Sequence, residues 1–239
     1  MRFYTHPSYQ IVFNLFRKYF PNLSGKSILD SGCGNGYLLD LINPANIHKY
    51  LGYDVSEHAI RYAKLRFKKY KNIKFLHTKP NLNTNGFKTD YFDAIFSIGV
   101  LQYLNESEIQ DFFKMSRRSL KNDGRVFISC TTDHTFYKWF SLYNLVLPSH
   151  VNNRKKLLRL AKENGLKCEY QKESGLFFGP LFSHNIVLLF DIFDKIIFRS
   201  RGKLGPIGKI SRIISTFILQ FEYYIPIDYG YTLYLVLKK

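Results

Sequence analysis

The sequence predicts a doubly wound α/β fold: a mainly parallel sheet with helices on both faces. Two observations carry that expectation. Between residues 25 and 132, short runs rich in β-branched and aromatic residues alternate with segments of helical apolar spacing. The first run, "KSILDSG", then opens into glycines at every second position, Gly32, Gly34 and Gly36, a bare strand-to-helix turn. A length of 239 residues fits one domain and is short for two typical ones, and 46% hydrophobic residues suffice for a sizeable core.

In chain order, residues 7–20, "PSYQIVFNLFRKYF", space their apolar residues as a helix that Pro21 ends. "KSILDSG" is a strand, and "GYLLDLIN" a short helix stopped at Pro44. "KYLGYDV" is a strand, followed by a helix capped at Ser56 that runs through "EHAIRYAKLRFKKY". "NIKFLHT" and "YFDAIFSIG" are the third and fourth strands. Asn105 and Glu108 form a capping-box pair that starts a helix running to about Lys121, and "GRVFISCTT" is the fifth strand. Beyond residue 133 the pattern changes. "HTFYKWFSLYNLVLP" is aromatic and helical, "NNRKKLLRLAKENGLK" is an amphipathic helix ending at Gly165, and "LKCEYQKE" and "YTLYLVLKK" are strands. Between those strands lie apolar helical segments at 186–198 and 209–222, joined by the basic link "RSRGKLGPIGK".

Composition narrows the setting. A net charge of +17, from 35 Lys+Arg against 18 Asp+Glu, favours anionic surroundings or reflects general lysine richness. Cys33, Cys130 and Cys168 stand far apart with no metal-ligand spacing, which argues against a disulfide scaffold. The opening "MRFYTHPSYQ" has no apolar signal region, so a cytoplasmic location is expected. The run "NIVLLFDIFDKIIF" is broken by Asp191, Asp194 and Lys195 and is too charged to span a bilayer.

The glycine turn reads as a nucleoside pocket. Gly32 and Gly34 permit a tight turn and close approach, and the following helix would offer free N–H groups and a positive dipole end. Asp54 ends the next strand, 18 residues past Gly36, where a carboxylate can accept both hydroxyls of a ribose. A dinucleotide fingerprint would require glycine at position 37; Tyr37 stands there and crowds a pyrophosphate, which argues against a nicotinamide dinucleotide.

At this point the sequence resembles the class I S-adenosylmethionine-dependent methyltransferases. The matching residues are "LDSGCGNG", "LGYDVSEHAI", "YFDAIFSIGVLQYL" and "RRSLKNDGRVFIS", in order and spacing over about residues 25–132. The likeness is strongest to the branch that methylates small molecules, quinone precursors, lipids and glycans. It implies a seven-stranded, Rossmann-like sheet with an antiparallel last strand, supplied by "YTLYLVLKK", and S-adenosyl-L-methionine as cofactor. It implies donor contacts at Asp30 and the loop Gly32, Cys33, Gly34 and Gly36, with Asp54 on the ribose and Val55 and Ser97 at neighbouring strand ends. One departure is visible. Family members commonly carry an acid after strand three, whereas Thr78, Lys79 and Pro80 stand there, so Lys79 is left outside the site. The expected organisation is one methyltransferase domain over 1–239. It comprises an N-terminal helix in 1–24, a donor-binding core in 25–132 and substrate-side elements in 133–239, with a helical lid inserted at about 174–228.

Methyl transfer from a sulfonium is an in-line displacement in which the enzyme supplies positioning, desolvation and, for a hydroxyl acceptor, a base. His134, directly after the fifth strand, is the favoured base. Tyr4 and His6 ahead of the first helix, and Gln102 and Tyr103 after strand four, are candidate substrate-side residues; His150 and His184 border the aromatic cap. The turn "SIGV" lacks the Pro-Pro-aromatic pattern of base-amine methylation, the cysteine of cytosine-C5 enzymes and the Asp of metal-dependent catechol-type enzymes, so no metal is expected.

Three functions stay open: methylation of a hydroxyl, or failing that an amine or carbon, on a small or lipid-linked acceptor; RNA modification; or donor binding without catalysis. The RNA reading rests on +17 and on "RYAKLRFKKYKNIK", a basic run that a solvated helix face explains equally well. The two late apolar segments are expected to lie flat, one face down on the sheet's carboxyl edge. They would roof a greasy acceptor, dock peripherally on an anionic membrane, or only complete the core.

Overall fold

The strands pair where the apolar runs predict. In the computed structural model, residues 8–78, 87–132, 153–175, 186–197 and 205–239 are described. Seven strands form one sheet: β1 (Ser27–Ser31), β2 (Lys49–Asp54), β3 (Ile73–His77), β4 (Phe92–Ile98), β5 (Leu120–Thr131), β6 (Lys167–Ser174) and β7 (Thr232–Lys238). Their spatial order is β3-β2-β1-β4-β5-β7-β6. β1 to β5 pair in parallel, and β7 runs antiparallel to both β5 and β6, as the resemblance implies. The helices are α1 (Ser8–Tyr19), α2 (Glu57–Arg66), α3 (Glu106–Ser119), α4 (Arg154–Glu163), α5 (Ile186–Ile197) and α6 (Pro206–Tyr224).

Both sheet faces are covered, so neighbouring strand residues enter different cores. Ile28, Tyr50, Ala94, Phe96, Phe127 and Val236 face one core, with Ile11, Leu15 and Phe16 of α1 and Ile60 and Ala63 of α2. Leu29, Tyr53, Ile95, Val126, Ile128 and Leu237 face the other, with Phe112 and Met115 of α3 and Leu157 of α4. The rings of Phe16 and Phe20 stand 5.6 and 4.8 Å from that of Phe96, holding α1 against the sheet centre.

This order fixes the place of the site. The chain builds outward from β1 through β2 to β3, then crosses back to place β4 on the other flank of β1. The carboxyl ends of β1 and β4 therefore diverge at a topological switch point, where open α/β sheets form a crevice.

Two expectations change. The stretch "GYLLDLIN" forms only a 3-10 turn at Tyr37–Asp40. Gly36, left-handed at φ 75°, brings no capping side chain, and Pro44 prevents continuation. Asp40 is instead drawn sideways to the Arg66 guanidinium, at 2.6 and 2.8 Å. The second change concerns α6, which packs with α5. Its inward face carries Gly208, Ser211, Ser215, Leu219 and Glu222, while Ile210, Ile213, Ile214, Phe217 and Phe221 point outward. Asp194 of α5, read from sequence as a polar break, is buried at the start of α6 and accepts the Ile207 and Gly208 amides at 3.3 and 2.6 Å.

Candidate functional site

At the switch point lies a cleft of about 560 Å³ lined by Ser31, Gly32, Tyr53, Asp54, Val55, Gly99, Val100, Tyr103, Leu104 and Glu108. It is assembled from the ends of β1, β2 and β4 and the start of α3. The Asn105 side chain accepts the Glu108 amide at 3.0 Å, and Glu108 accepts the Asn105 amide at 2.9 Å. That reciprocal cap fixes the α3 start, and with it Leu104 and Glu108.

The glycine loop is strapped to β2. The amides of Gly32 and Cys33 both donate to the Tyr53 carbonyl, at 2.9 and 3.0 Å, and the Gly34 amide donates to Asp54 Oδ2 at 2.8 Å. The other oxygen of Asp54 accepts the Ser56 amide at 2.8 Å. Both oxygens are thus aimed by backbone, with further lone pairs left for a ligand. The amides of Gly32, Cys33 and Gly34 are thus taken up by β2, and the turn that stands where a helix with free N–H groups was expected is too short for a dipole site. What the loop contributes is closeness. A Cβ on Gly32, at φ +70°, would lie 2.2 Å from Val100 Cγ2, so a methyl group there would push apart the β1 and β4 exits.

Beneath the loop, Asp30 is 3% exposed and accepts the Tyr50 hydroxyl at 2.5 Å. Burial, with the Asp54 charge adding to it and the Tyr50 hydrogen bond opposing it, pushes the Asp30 carboxyl up from 3.8 to about 7. Burial also raises the Cys33 thiol far above its ordinary range, so it is not a nucleophile. Within a chain of net charge +17, the cleft is locally acidic: Asp54 and Glu108 line it and Asp30 lies below. Such a site fits a ligand that carries positive charge.

Of the residues singled out from sequence, Gly32, Asp54, Val55 and Tyr103 stand together on the cleft wall. Cys33 is buried in the loop, and Gly36 packs against Phe67 and Phe75, where a Cβ would meet Phe67 at 2.9 Å. Ser97 is fully buried and Gln102 is 7% exposed, and neither lines the cleft. The period-two alternation of β4 turns Ser97 inward, and the 3-10 turn Leu101–Tyr103 rotates Gln102 away while presenting Tyr103. Tyr4, His6, His134, His150, His184, Lys79 and the aromatic segment after residue 133 lie outside the described residues. Sequence reasoning passed over Ser31, Tyr53, Gly99, Val100, Leu104 and Glu108; Gly99, just past a strand of strong β-propensity, was the readable signal among them. No group of three or more His, Cys, Asp or Glu residues able to hold a metal ion occurs among the described residues.

Comparison with known proteins agrees with this geometry. A family described as a methyltransferase domain matches residues 28–124. Phosphoethanolamine N-methyltransferase 3 of Arabidopsis thaliana is 29% identical over 161 residues, covering 66% of this chain and 30% of that protein. A tRNA U34 carboxymethyltransferase of Campylobacter lari (strain RM2100 / D67 / ATCC BAA-1060) is 30% identical over 120 residues, covering 49% of this chain and 40% of its own length. The chain therefore spans less than half the length of these curated relatives. Among solved structures, a geranyl diphosphate C-methyltransferase from Streptomyces coelicolor A3(2) superposes with a TM-score of 0.61 at 15% identity. That likeness covers 96% of this chain and 80% of the other, and it shows a shared fold. Over residues 28–124 the chain thus matches a methyltransferase domain, and it shares its fold with methyltransferases of known structure.

Proposed function

We propose that this chain binds S-adenosylmethionine in the cleft above β1, β2 and β4 and transfers its methyl group to a hydroxyl of a small or lipid-linked acceptor. The observation that carries the reading is the acidic cleft: Asp54 and Glu108 line the place where a cationic nucleoside would sit, with Asp30 buried nearby, beside a glycine loop that allows close approach. The residues fit that group. Asp54, fixed by two backbone amides, would take the ribose hydroxyls; Val55 and Tyr103 offer apolar surface, and Asp30 would lie toward the amino-acid end. When bound, the sulfonium supplies an already activated methyl group. The chain's own residues then orient the acceptor oxygen in line with the methyl carbon, exclude water and remove the hydroxyl proton. We assign that last role to His134, which comes three residues after β5 in sequence.

A second reading, RNA as acceptor, draws on the tRNA-modifying relative and on the basic surface of α2, where Arg61 and Lys64 are exposed beside Tyr62. Methyl-labelled S-adenosylmethionine offered with cell extract separates the readings. Label in the organic-soluble or small-molecule fraction supports the first, and label confined to RNA supports the second. No transfer to any fraction contradicts both.

A further inference from the structure

We propose that the outward face of α5 and α6 is a docking surface for an anionic lipid bilayer, independent of which acceptor is methylated. The starting observation is that α6 exposes its most apolar face. Its buried face is mixed, carrying Ser211, Ser215 and Glu222 at 5% exposure or less beside Leu219 and Tyr223. Its outward stripe carries Ile210, Ile213, Ile214, Phe217, Phe221 and Tyr224, each between 51% and 71% exposed. The spacing 210, 213/214, 217, 221, 224 is one continuous helical face, about 22 Å long at the usual rise per residue. α5 extends the surface with Phe193 and Ile196, 52% and 71% exposed. An apolar patch of this extent is far more than scattered surface residues produce and marks an interaction face.

The shape and the charge choose the occupant. No helix among the described residues is long and apolar enough to cross a membrane, so the surface is suited to lying in an interface plane. In sequence, segment 186–224 holds Lys195, Arg199, Arg201, Lys203, Lys209 and Arg212 against Asp191, Asp194 and Glu222. Asp194 and Glu222 are both buried, Asp194 being occupied as the cap of α6, so their charges do not oppose an anionic surface. Lys209 is exposed one residue from the start of the apolar stripe. An apolar face bordered by Lys209, in a segment whose sequence is rich in cations, is the pattern that phospholipid headgroups of negative charge complement. A second copy of the chain on the same face would instead bring two molecules of net charge +17 together.

Vesicle flotation of the full chain tests this. With phosphatidylcholine–phosphatidylglycerol vesicles the protein is expected to float, and with phosphatidylcholine alone to bind at least about tenfold less. Phe217→Ser with Phe221→Ser should reduce flotation about tenfold or more at an unchanged circular dichroism spectrum, since both side chains already face outward. Lys209→Glu, which leaves the apolar stripe intact, should weaken binding to the anionic vesicles only. Equal and poor recovery on both vesicle types overturns the proposal, as does a double variant that floats like the parent chain. A dimer by light scattering that the double variant dissociates, with no flotation of either, assigns the face to a second copy and also overturns it.

Discussion

Burial of Asp30 gives the site a pH dependence whose sign is fixed. Its native carboxyl titrates at about 7 against 3.8 in a free chain, so the folded state holds the proton more tightly throughout that window. This residue's contribution to stability is greatest below pH 4 and declines as pH rises toward 7. Asp30→Asn should therefore raise the melting temperature relative to the parent at pH 8 and leave it nearly unchanged at pH 4. The ligand acts in the opposite sense. A cationic cofactor favours the ionised carboxylate, so S-adenosylmethionine affinity should fall roughly tenfold from pH 8 to pH 6, following the ionised fraction of one group near 7. In Asp30→Asn that slope should flatten; an identical slope in both proteins would remove Asp30 from the binding site. At the acceptor side, His134→Ala should lower kcat by about 10²–10⁴ while leaving the Kd for S-adenosylmethionine unchanged. An unchanged kcat would show that His134 is not the base.

Elements transmit these residue effects through their ends. The Asn105–Glu108 cap starts α3 and so places Leu104 and Glu108 on the cleft wall. Asn105→Ala should cost about 0.5–2 kcal/mol by urea unfolding, with a smaller loss of cofactor affinity; no change in either would mean that packing alone holds the α3 start. This cap was legible in sequence because both partners lie within one turn. So were the strands, whose apolar runs are mostly bounded by glycine or proline. The cap of α6 was not legible. Its acceptor, Asp194, sits 14 residues before Gly208 on a different helix, and only the packed pair of helices joins them. Nor was the outward turn of the α6 stripe, since periodicity identifies an apolar face without saying what covers it. The short helix expected after Gly36 is instead a 3-10 turn, with Arg66 reaching Asp40 from another element.

In the whole molecule, a chain of net positive charge places Asp54 and Glu108 on the wall of one crevice, with Asp30 buried nearby. The reversal of strand order between β1 and β4 creates that crevice, and the strap from Gly34 to Asp54 sets its floor. Glycine spacing and the strand-end acid were enough to locate it from sequence. They did not reveal that the loop amides are spent on Tyr53 and Asp54, because those bonds form only when β1 and β2 pair side by side. The central claim is that this crevice holds S-adenosylmethionine with Asp54 as its principal polar contact. Calorimetric titration of S-adenosylmethionine into the full chain and into Asp54→Ala tests it most directly. The account predicts saturable binding to the parent chain and a loss of about 1.5–3 kcal/mol in the variant, roughly 10- to 150-fold in Kd. Equal affinity in the two proteins would contradict it.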